Sequence, residues 1–465
     1  MIEAAVPPAR GRVGATLERR LAALRAARLA ASGGIDSHGT SGAPPPAVPA
    51  DPVIAGSSAR LRATALADRL AGAVGGERVA TRLGTYVRVD APSARLPVDR
   101  AALAAVPTLP DPAATFVCLD TETTGLATAA GTFVFLVGIG RWIGDRFEQV
   151  QLLLPEQSEE KAFLSALRDL LPAGTHLVTY NGRSFDWPLL VARYRMGRDA
   201  PPPLAGHLDL LPYVRRTFRH RLPDARLRTV ERELLGLRRT GDVDGWEIPG
   251  RYLGFLRGSN AAILADVVRH NHEDVRSLGR LIAHVAEYLG CEERWSDGHP
   301  GDLAAHARAL RRAGRDEAAL MCLDAAIEAA VGLARLSGTR RAAAPAATAI
   351  PPAATLLADR ARTLARLRRY QEAADTWLSV ATIEGPTPAA PGSLAGPAWI
   401  EVAKLREHRQ RDPVGALLAA DAARQIAERS RALGRPLRAL EEDVPRRSAR
   451  LRRRLARAGR HAGDD

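Results

Sequence analysis

The chain has 465 residues, 46% of them hydrophobic and 25% charged. That balance is globular and argues against a chain disordered throughout. At about 100–200 residues per domain, the length predicts about three domains. The formal net charge of +14 favours a polyanionic partner, above all nucleic acid. All but two of the 66 basic residues are arginines, the lysines being Lys161 and Lys404. Arginine also abounds beside Ala, Gly and Pro, as GC-rich coding produces without any functional reason. The charge therefore supports nucleic-acid binding without establishing it. The longest wholly apolar run, residues 133–140, falls far short of the roughly 20 residues that span a bilayer, so no membrane segment is expected. Arg10, Arg12, Glu18, Arg19 and Arg20 stand where a signal peptide would need an apolar stretch. Cys118, Cys291 and Cys322 form no C-x-x-C pair, which argues against a disulfide framework or a cysteine zinc site. A cytoplasmic protein is expected.

Residues 11–32 carry leucines at helical spacing, and 33–58 are rich in Gly, Ser, Pro and Ala. Residues 1–58 are thus expected to be an N-terminal helix and a disordered linker. Residues 59–110 read as a small α/β lead-in. A helix over 59–74 is followed by alternating Val79, Thr81, Leu83, Thr85, Val87 and Val89, as in a hairpin or edge strands.

Strands are predicted at FVCLDTE from 116, at 133–142 and at 146–154, with Gly144-Asp145 as a tight hairpin turn between the last two. A helix over 158–171 has Ser158 as its N-cap. A strand at 176–180 and a helix over 184–196 follow, and HLDLL, 207–211, begins as a short strand. Helices are then predicted around 226–236 and 261–288. Hairpin strands followed by alternating helix and strand imply a mixed sheet with helices on its faces.

Beyond 300 the strand signals stop. Three helix pairs are predicted near 301–333, 354–384 and 398–431, with small residues at helical spacing. Their lengths approach the roughly 34 residues of a tetratricopeptide unit. Residues 300–435 are read as degenerate repeats, and plain helical hairpins are the other reading. Residues 436–465 are a basic tail, expected to be a solvated helix.

The chemistry begins at LDTETTGL, 119–126. Asp120 and Glu122 are two residues apart on a strand, so both carboxylates project from one face. Like charges there are costly unless a cation joins them, and Mg²⁺ or Mn²⁺ prefers such oxygen ligands. Thr123, Thr124 and Gly125 follow at the strand end, where backbone amides could meet a phosphate. Asp-x-Glu is also common by chance at a polar strand end. In TYNGRSFDWPLL, 179–190, a strand delivers Asn181 and Gly182. Asp186 sits in the first turn of the next helix, favoured there by the helix dipole or aimed at a cation. Its neighbour Phe185 is a core residue or a base-stacking one. In RHNHEDVRSL, 269–278, His270 and Asp274 are four apart on one helical face. Asp274 could ligate a metal and His270 accept a proton, or both could be solvated. His272 points elsewhere. Asp209 ends a strand near the same edge and reads as structural or as a support for the acidic residues, and His207 reads as structural. Arg215, Arg216, Arg219, Arg221, Arg226 and Arg228 could track a phosphate backbone or form an ordinary solvated face. There is no phosphate-binding loop of the G-x-x-x-x-G-K-[ST] type, so nucleotide-triphosphate hydrolysis has no support.

Together DTETTG, NGRSFD and HNHEDV resemble the three motifs of the ribonuclease H-like, DEDD-type 3′–5′ exonuclease superfamily. The wider stretches GTFVFLVGIG, HLDLL and RLPDARLRTVERELLG resemble the YprB-type ribonuclease H-like domain, which helical repeats also follow. The resemblance covers about 111–288. It implies a mixed five-stranded sheet flanked by helices, with a C-terminal all-α helical-repeat domain. It implies a metal-dependent nuclease, with two Mg²⁺ or Mn²⁺ ions held by Asp120, Glu122, Asp186 and Asp274 and with DNA or RNA as partner. Asn181, Phe185 and the Thr123–Gly125 turn would contact the nucleic acid, and the repeats would recruit a protein partner. The sequence departs from the family at the base. Two well-known subclasses place Tyr four residues before the last Asp, or His five before it, whereas here His270 is four before and position 269 is Arg. A non-catalytic nucleic-acid-binding scaffold and an endonuclease on structured nucleic acid are the alternative readings.

Overall fold

The computed structural model describes residues 52–106, 114–125, 131–290, 295, 298–337, 351–385 and 393–461. The helix expected over 11–32 and most of the expected linker lie outside them. The described part of that linker is helical, because α1 runs from Pro52 to Val74. It buries Leu66, Ala67 and Leu70 against the sheet. No helix among the described residues is long and apolar enough to cross a membrane.

The strands are β1 (Glu77–Thr81), β2 (Gly84–Arg95), β3 (Thr115–Thr123), β4 (Val134–Ile143), β5 (Arg146–Leu153), β6 (Thr175–Thr179) and β7 (Leu204–Asp209). They form one mixed sheet in the order β1-β2-β5-β4-β3-β6-β7. The first five pair antiparallel, and β6 and β7 run parallel to β3. The β4–β5 hairpin turns where expected, with Gly144 at φ 62°. The sheet is two strands wider than the five expected. The 77–95 hairpin does not stand apart, since β2 zips onto β5 with Val87 opposite Leu153. This covers the edge that β5 would otherwise leave unpaired.

Helices cover both faces. Glu160–Leu170 (α2), Asp186–Met196 (α3) and Ile248–Leu256 (α6) pack with α1 on one, where Val117 and Leu119 of β3 point. Leu210–Thr217 (α4), Leu227–Leu234 (α5) and most of the long helix Ile263–Gly290 (α7) cover the other, where Phe116 and Cys118 point. One local expectation is corrected. Ser158 is not an N-cap: a 3-10 turn over Gln157–Glu159 starts the helix, and Glu159 turns its carboxylate to the Thr85 amide of β2. The short strand that begins HLDLL ends at Asp209, as expected, and the Asp209 carboxylate caps α4 by accepting from Leu211 N at 3.1 Å. Helix α6 was not foreseen.

The rest is helical: α8 (Pro300–Arg312), α9 (Asp316–Ser337), α10 (Ala353–Arg366), α11 (Tyr370–Glu384), α12 (Ala395–Leu405), α13 (Pro413–Ala432) and α14 (Arg438–His461). Consecutive helices pack as hairpins, close-fitted through small residues such as Ala319, Ala361, Ala373, Ala403 and Ala419. The first hairpin shares its core with the sheet: Leu303, Leu310 and Leu323 join Tyr213, Phe218 and Val230. The basic tail is not simply solvated. Helix α14 buries Val444 and Leu451, and its Arg447 and Arg450 grip the buried Glu407 carboxylate at 2.6 Å and 2.7 Å. A buried carboxylate needs such partners.

Candidate active site

Strand alternation puts Asp120 and Glu122 on the face that α7 crosses. Asn271 of α7 donates to Asp120 Oδ2 at 2.9 Å and to the Asp120 carbonyl at 3.2 Å. Its own Oδ1 accepts from Gln151 of β5 at 2.8 Å, so the amide is held in one orientation. The helix comes this close because β4 carries Gly138 directly opposite Asp120. A Cβ on Gly138 would lie 2.2 Å from Asn271 Oδ1.

One turn of α7 supplies the rest. His270 Nε2 lies 3.9 Å from Glu122 Oε1 and 3.6 Å from Asp274 Oδ2. The other ring nitrogen, Nδ1, is 2.7 Å from Asp242 Oδ1. Burial opposes ionisation of Asp242, but the hydrogen bond from His270 and the charges of His270, Arg239 and Arg228 outweigh it, so the carboxyl stays below its ordinary range. Asp242 therefore accepts from His270 Nδ1, and Nε2 faces the acids. Arg239 completes the cluster. It binds Glu231 and Asp274 and reaches Asp242 Oδ2 at 3.3 Å.

Asp186 arrives from the opposite side of β3, as the first residue of α3. The Thr121 hydroxyl donates to its Oδ1. The turn before α3 is set by Asn181, at φ 69°, whose amide donates to Asp209 Oδ1 at 2.7 Å. Asp209 also accepts from Arg183 N at 3.2 Å, which makes its role structural. His207 is structural too: its Nε2 lies 2.8 Å from Thr179 Oγ1, and burial lowers its pKa to about 4.

A cavity of about 360 Å³ opens over this edge, lined by Asp120, Thr121, Glu122, Thr123, Gly125, Phe185 and Asp186. Phe185 is not a core residue; it is 53% exposed. Thr124 and Asn181 are not among the lining residues. The Thr124 amide is committed to the Phe133 carbonyl at 2.9 Å, so it is not free for a phosphate. Of the arginines between 215 and 228, Arg221 and Arg228 face acids inside the protein, Asp302 and Asp242. Sequence reasoning missed Asn271, Asp242, Arg239 and Glu231. Asn271 sits inside HNHEDV, three residues before Asp274, where its helical spacing gave a signal. Asp242 and Arg239 lie in an irregular stretch with none.

The donor set fits a hard divalent cation. All four acids offer oxygen, and burial together with the neighbouring negative charges pushes Asp120 and Glu122 well above the usual carboxylate range. A cation would relieve that repulsion. Burial raises Asp186 as well, against the Thr121 hydrogen bond. Each acid has a protein partner here: Asn271 for Asp120, Thr121 for Asp186, Arg239 for Asp274 and, more distantly, His270 for Glu122.

Residues 117–286, the span that holds all four acids, match the family model of the RNase H superfamily. This segment is an RNase H superfamily domain. The Bacillus subtilis (strain 168) protein YprB is 39% identical over 182 residues, which are 39% of this chain and 44% of that protein. The chain thus spans less than half the length of that relative. Among solved structures, the zinc-bound E. coli exonuclease I–ssDNA complex aligns over 68% of this chain and 99% of its own, at 14% identity and a TM-score of 0.24. A second exonuclease I structure aligns at 15% identity and a TM-score of 0.25.

Proposed function

We propose that the RNase H superfamily domain is a metal-dependent nuclease that hydrolyses phosphodiester bonds of DNA or RNA, as a 3′–5′ exonuclease. One observation carries the reading. Carboxylates from β3 and α3 share a single cavity, and α7 brings Asp274 and a histidine whose ring is oriented by Asp242 to the same acids.

Asp120, Glu122 and Asp274 would hold Mg²⁺ or Mn²⁺, with Asp186 in support. Bound there, two such ions would supply an activated water and stabilise the leaving 3′ oxygen. Asn271 fixes the Asp120 carboxylate. Asp242 fixes the His270 ring so that Nε2 can take the proton of the attacking water. Exposed Phe185 at the cavity offers a face for a terminal base. Thr123 and Gly125 lie where the sugar-phosphate backbone would enter. The hairpins from α8 onward act as tetratricopeptide-like repeats that recruit a protein partner.

The test is incubation of 5′- and 3′-labelled single- and double-stranded DNA and RNA with the chain, with and without Mn²⁺. A ladder shortening from the 3′ end, lost in Asp120→Asn while binding persists, is expected. Cleavage by Asp120→Asn at the wild-type rate would reject the site. The ion pair of Arg239 with Asp274 favours a second reading, a scaffold that holds nucleic acid without cutting it. A scaffold has no reason to bind Mn²⁺ at Asp120 and Glu122, so a Mn²⁺ titration separates the two.

A further inference from the structure

A second constellation lies at the junction of the sheet domain and the helical hairpins. His220 follows α4, and His299 and Asp302 stand at the start of α8. His220 Nε2 is 3.1 Å from His299 Nδ1 and 3.0 Å from Asp302 Oδ1. Among the described residues, this is the one trio of possible metal ligands whose donor atoms all lie within 4.8 Å of one another. We propose that it binds a transition-metal dication of borderline softness, of the Zn²⁺ class, which ties the two regions together.

The protonation pattern supports the assignment. The Gly301 amide donates to His299 Nδ1 at 3.1 Å, so that nitrogen carries a lone pair. His220 Nε2 must then be the donor to it, and Asp302 Oδ1 accepts from the same side. His220 Nε2 thus faces both of the other ligand atoms. A dication bound there would replace the hydrogen between them and displace the Gly301 amide from the one lone pair of His299 Nδ1. Tetrahedral zinc with bonds of about 2.0–2.1 Å sets its ligand atoms roughly 3.3–3.4 Å apart. The two distances from His220 Nε2, 3.0 Å and 3.1 Å, need only a few tenths of an ångström of opening, and all three ligand atoms lie within 4.8 Å of one another.

The surroundings favour a fixed site. Asp302 is 1% exposed, and Arg221 holds both its oxygens, Oδ2 at 2.7 Å and Oδ1 at 3.2 Å, so the carboxylate is oriented but Oδ1 is shared with the guanidinium. The His220 ring lies over Gly301, where a Cβ would come 2.4 Å from Nε2. His299 Nε2 is buried with no partner, so what the ring gains from its position lies on its Nδ1 side. Arg221 and the N-terminus of α8 add positive charge that weakens binding of any cation. That bias penalises Mg²⁺ and Ca²⁺ most, because they gain least from two imidazole nitrogens. The site therefore differs in metal preference from the all-oxygen set at Asp120.

Co²⁺ titration of the full chain, stripped with EDTA, tests this. The chain should carry Asp120→Asn and Glu122→Gln to silence the acidic cavity. One equivalent of Co²⁺ should give the strong visible bands of a four-coordinate nitrogen-containing site, and Zn²⁺ should erase them. The bands should vanish in His220→Ala and in His299→Gln, with either folded variant sufficing. Zn²⁺ should raise the thermal midpoint of the parent protein but not of those variants. Weak six-coordinate bands alone, or strong bands that persist in a folded His220 or His299 variant, would overturn the proposal.

Discussion

Gly138 lies directly across the β3–β4 ladder from Asp120, and the space it leaves is filled by Asn271, the residue that donates to Asp120. The missing side chain on one strand thus positions a carboxylate on the next. Gly138→Ala should push Asn271 away and release Asp120. We expect a loss of roughly 10²-fold in nuclease rate, the scale on which small misplacements act. Overpacking should cost about 1–3 kcal/mol in stability. Paired rate and urea-denaturation measurements check this, and an unchanged rate would separate Asn271 from the chemistry.

His270 and Asp242 should behave as a pair. If His270 takes the proton, His270→Ala should slow cleavage about 10²–10⁴-fold under saturating Mn²⁺ and flatten the acid limb of the pH–rate profile. Asp242→Ala leaves the ring present but unoriented, and a loss of about 10–100-fold is expected. His270→Tyr should restore part of the rate lost in the alanine variant. Equal rates for wild type and His270→Ala would leave the proton to solvent.

Acid stability should reflect two buried neutral histidines. Burial lowers His207 to about 4 and His306 to about 3. Between those values and about 6.5 the unfolded chain takes up protons that the folded rings refuse, so stability falls as pH falls, by about 1.4 kcal/mol per pH unit for each histidine. Asp120 and Glu122 act with the opposite sign, since their raised proton affinity stabilises the folded chain as pH falls. The histidine effect is therefore read by difference. His306→Phe should show an acid slope shallower by about that one-histidine amount between pH 6.5 and 5, measured by denaturant unfolding. Parallel slopes would show that His306 is not held neutral.

Truncation after residue 295 should fail to give a stable domain. Tyr213, Phe218 and Val230 pack against Leu303, Leu310 and Leu323, so the cut would expose a contiguous apolar face. Aggregation, or binding of a hydrophobic dye, is expected, whereas a truncation ending after α9 should stay soluble. A monomeric, cooperatively unfolding product ending at 295 would contradict the shared core.

Much of this was legible in the sequence. The strand carrying Asp120 and Glu122, the helix start at Asp186 and the helical pair His270/Asp274 all follow from periodicities of 2 and 3.6. What escaped notice depends on contacts between distant segments. Nothing local shows that β2 pairs with β5, or that Arg239 and Asp242 fold back onto α7 from a stretch without periodicity. The same holds for α14. Its arginines read as a solvated face, yet Arg447 is buried because Glu407, forty residues earlier, requires a counter-charge. Asp209 reads from the sequence as structural or as a support for the acidic residues; it caps α4 and also accepts from the amides of Asn181 and Arg183.

The shared core also has a kinetic consequence. Helical hairpins are built from contacts between sequence neighbours and form quickly, whereas the β2–β5 and parallel β3–β6–β7 pairings must close long loops first. The α8–α9 hairpin is therefore made before the surface it docks on exists. Leu303, Leu310 and Leu323 would wait in water for the sheet to close, and the refolding chain would pass through an adhesive interval whose length the slow half sets. Pulse-labelling hydrogen exchange during refolding should protect amides of α8 and α9 before those of β2 and β7. The reverse order would mean that the sheet nucleates the molecule.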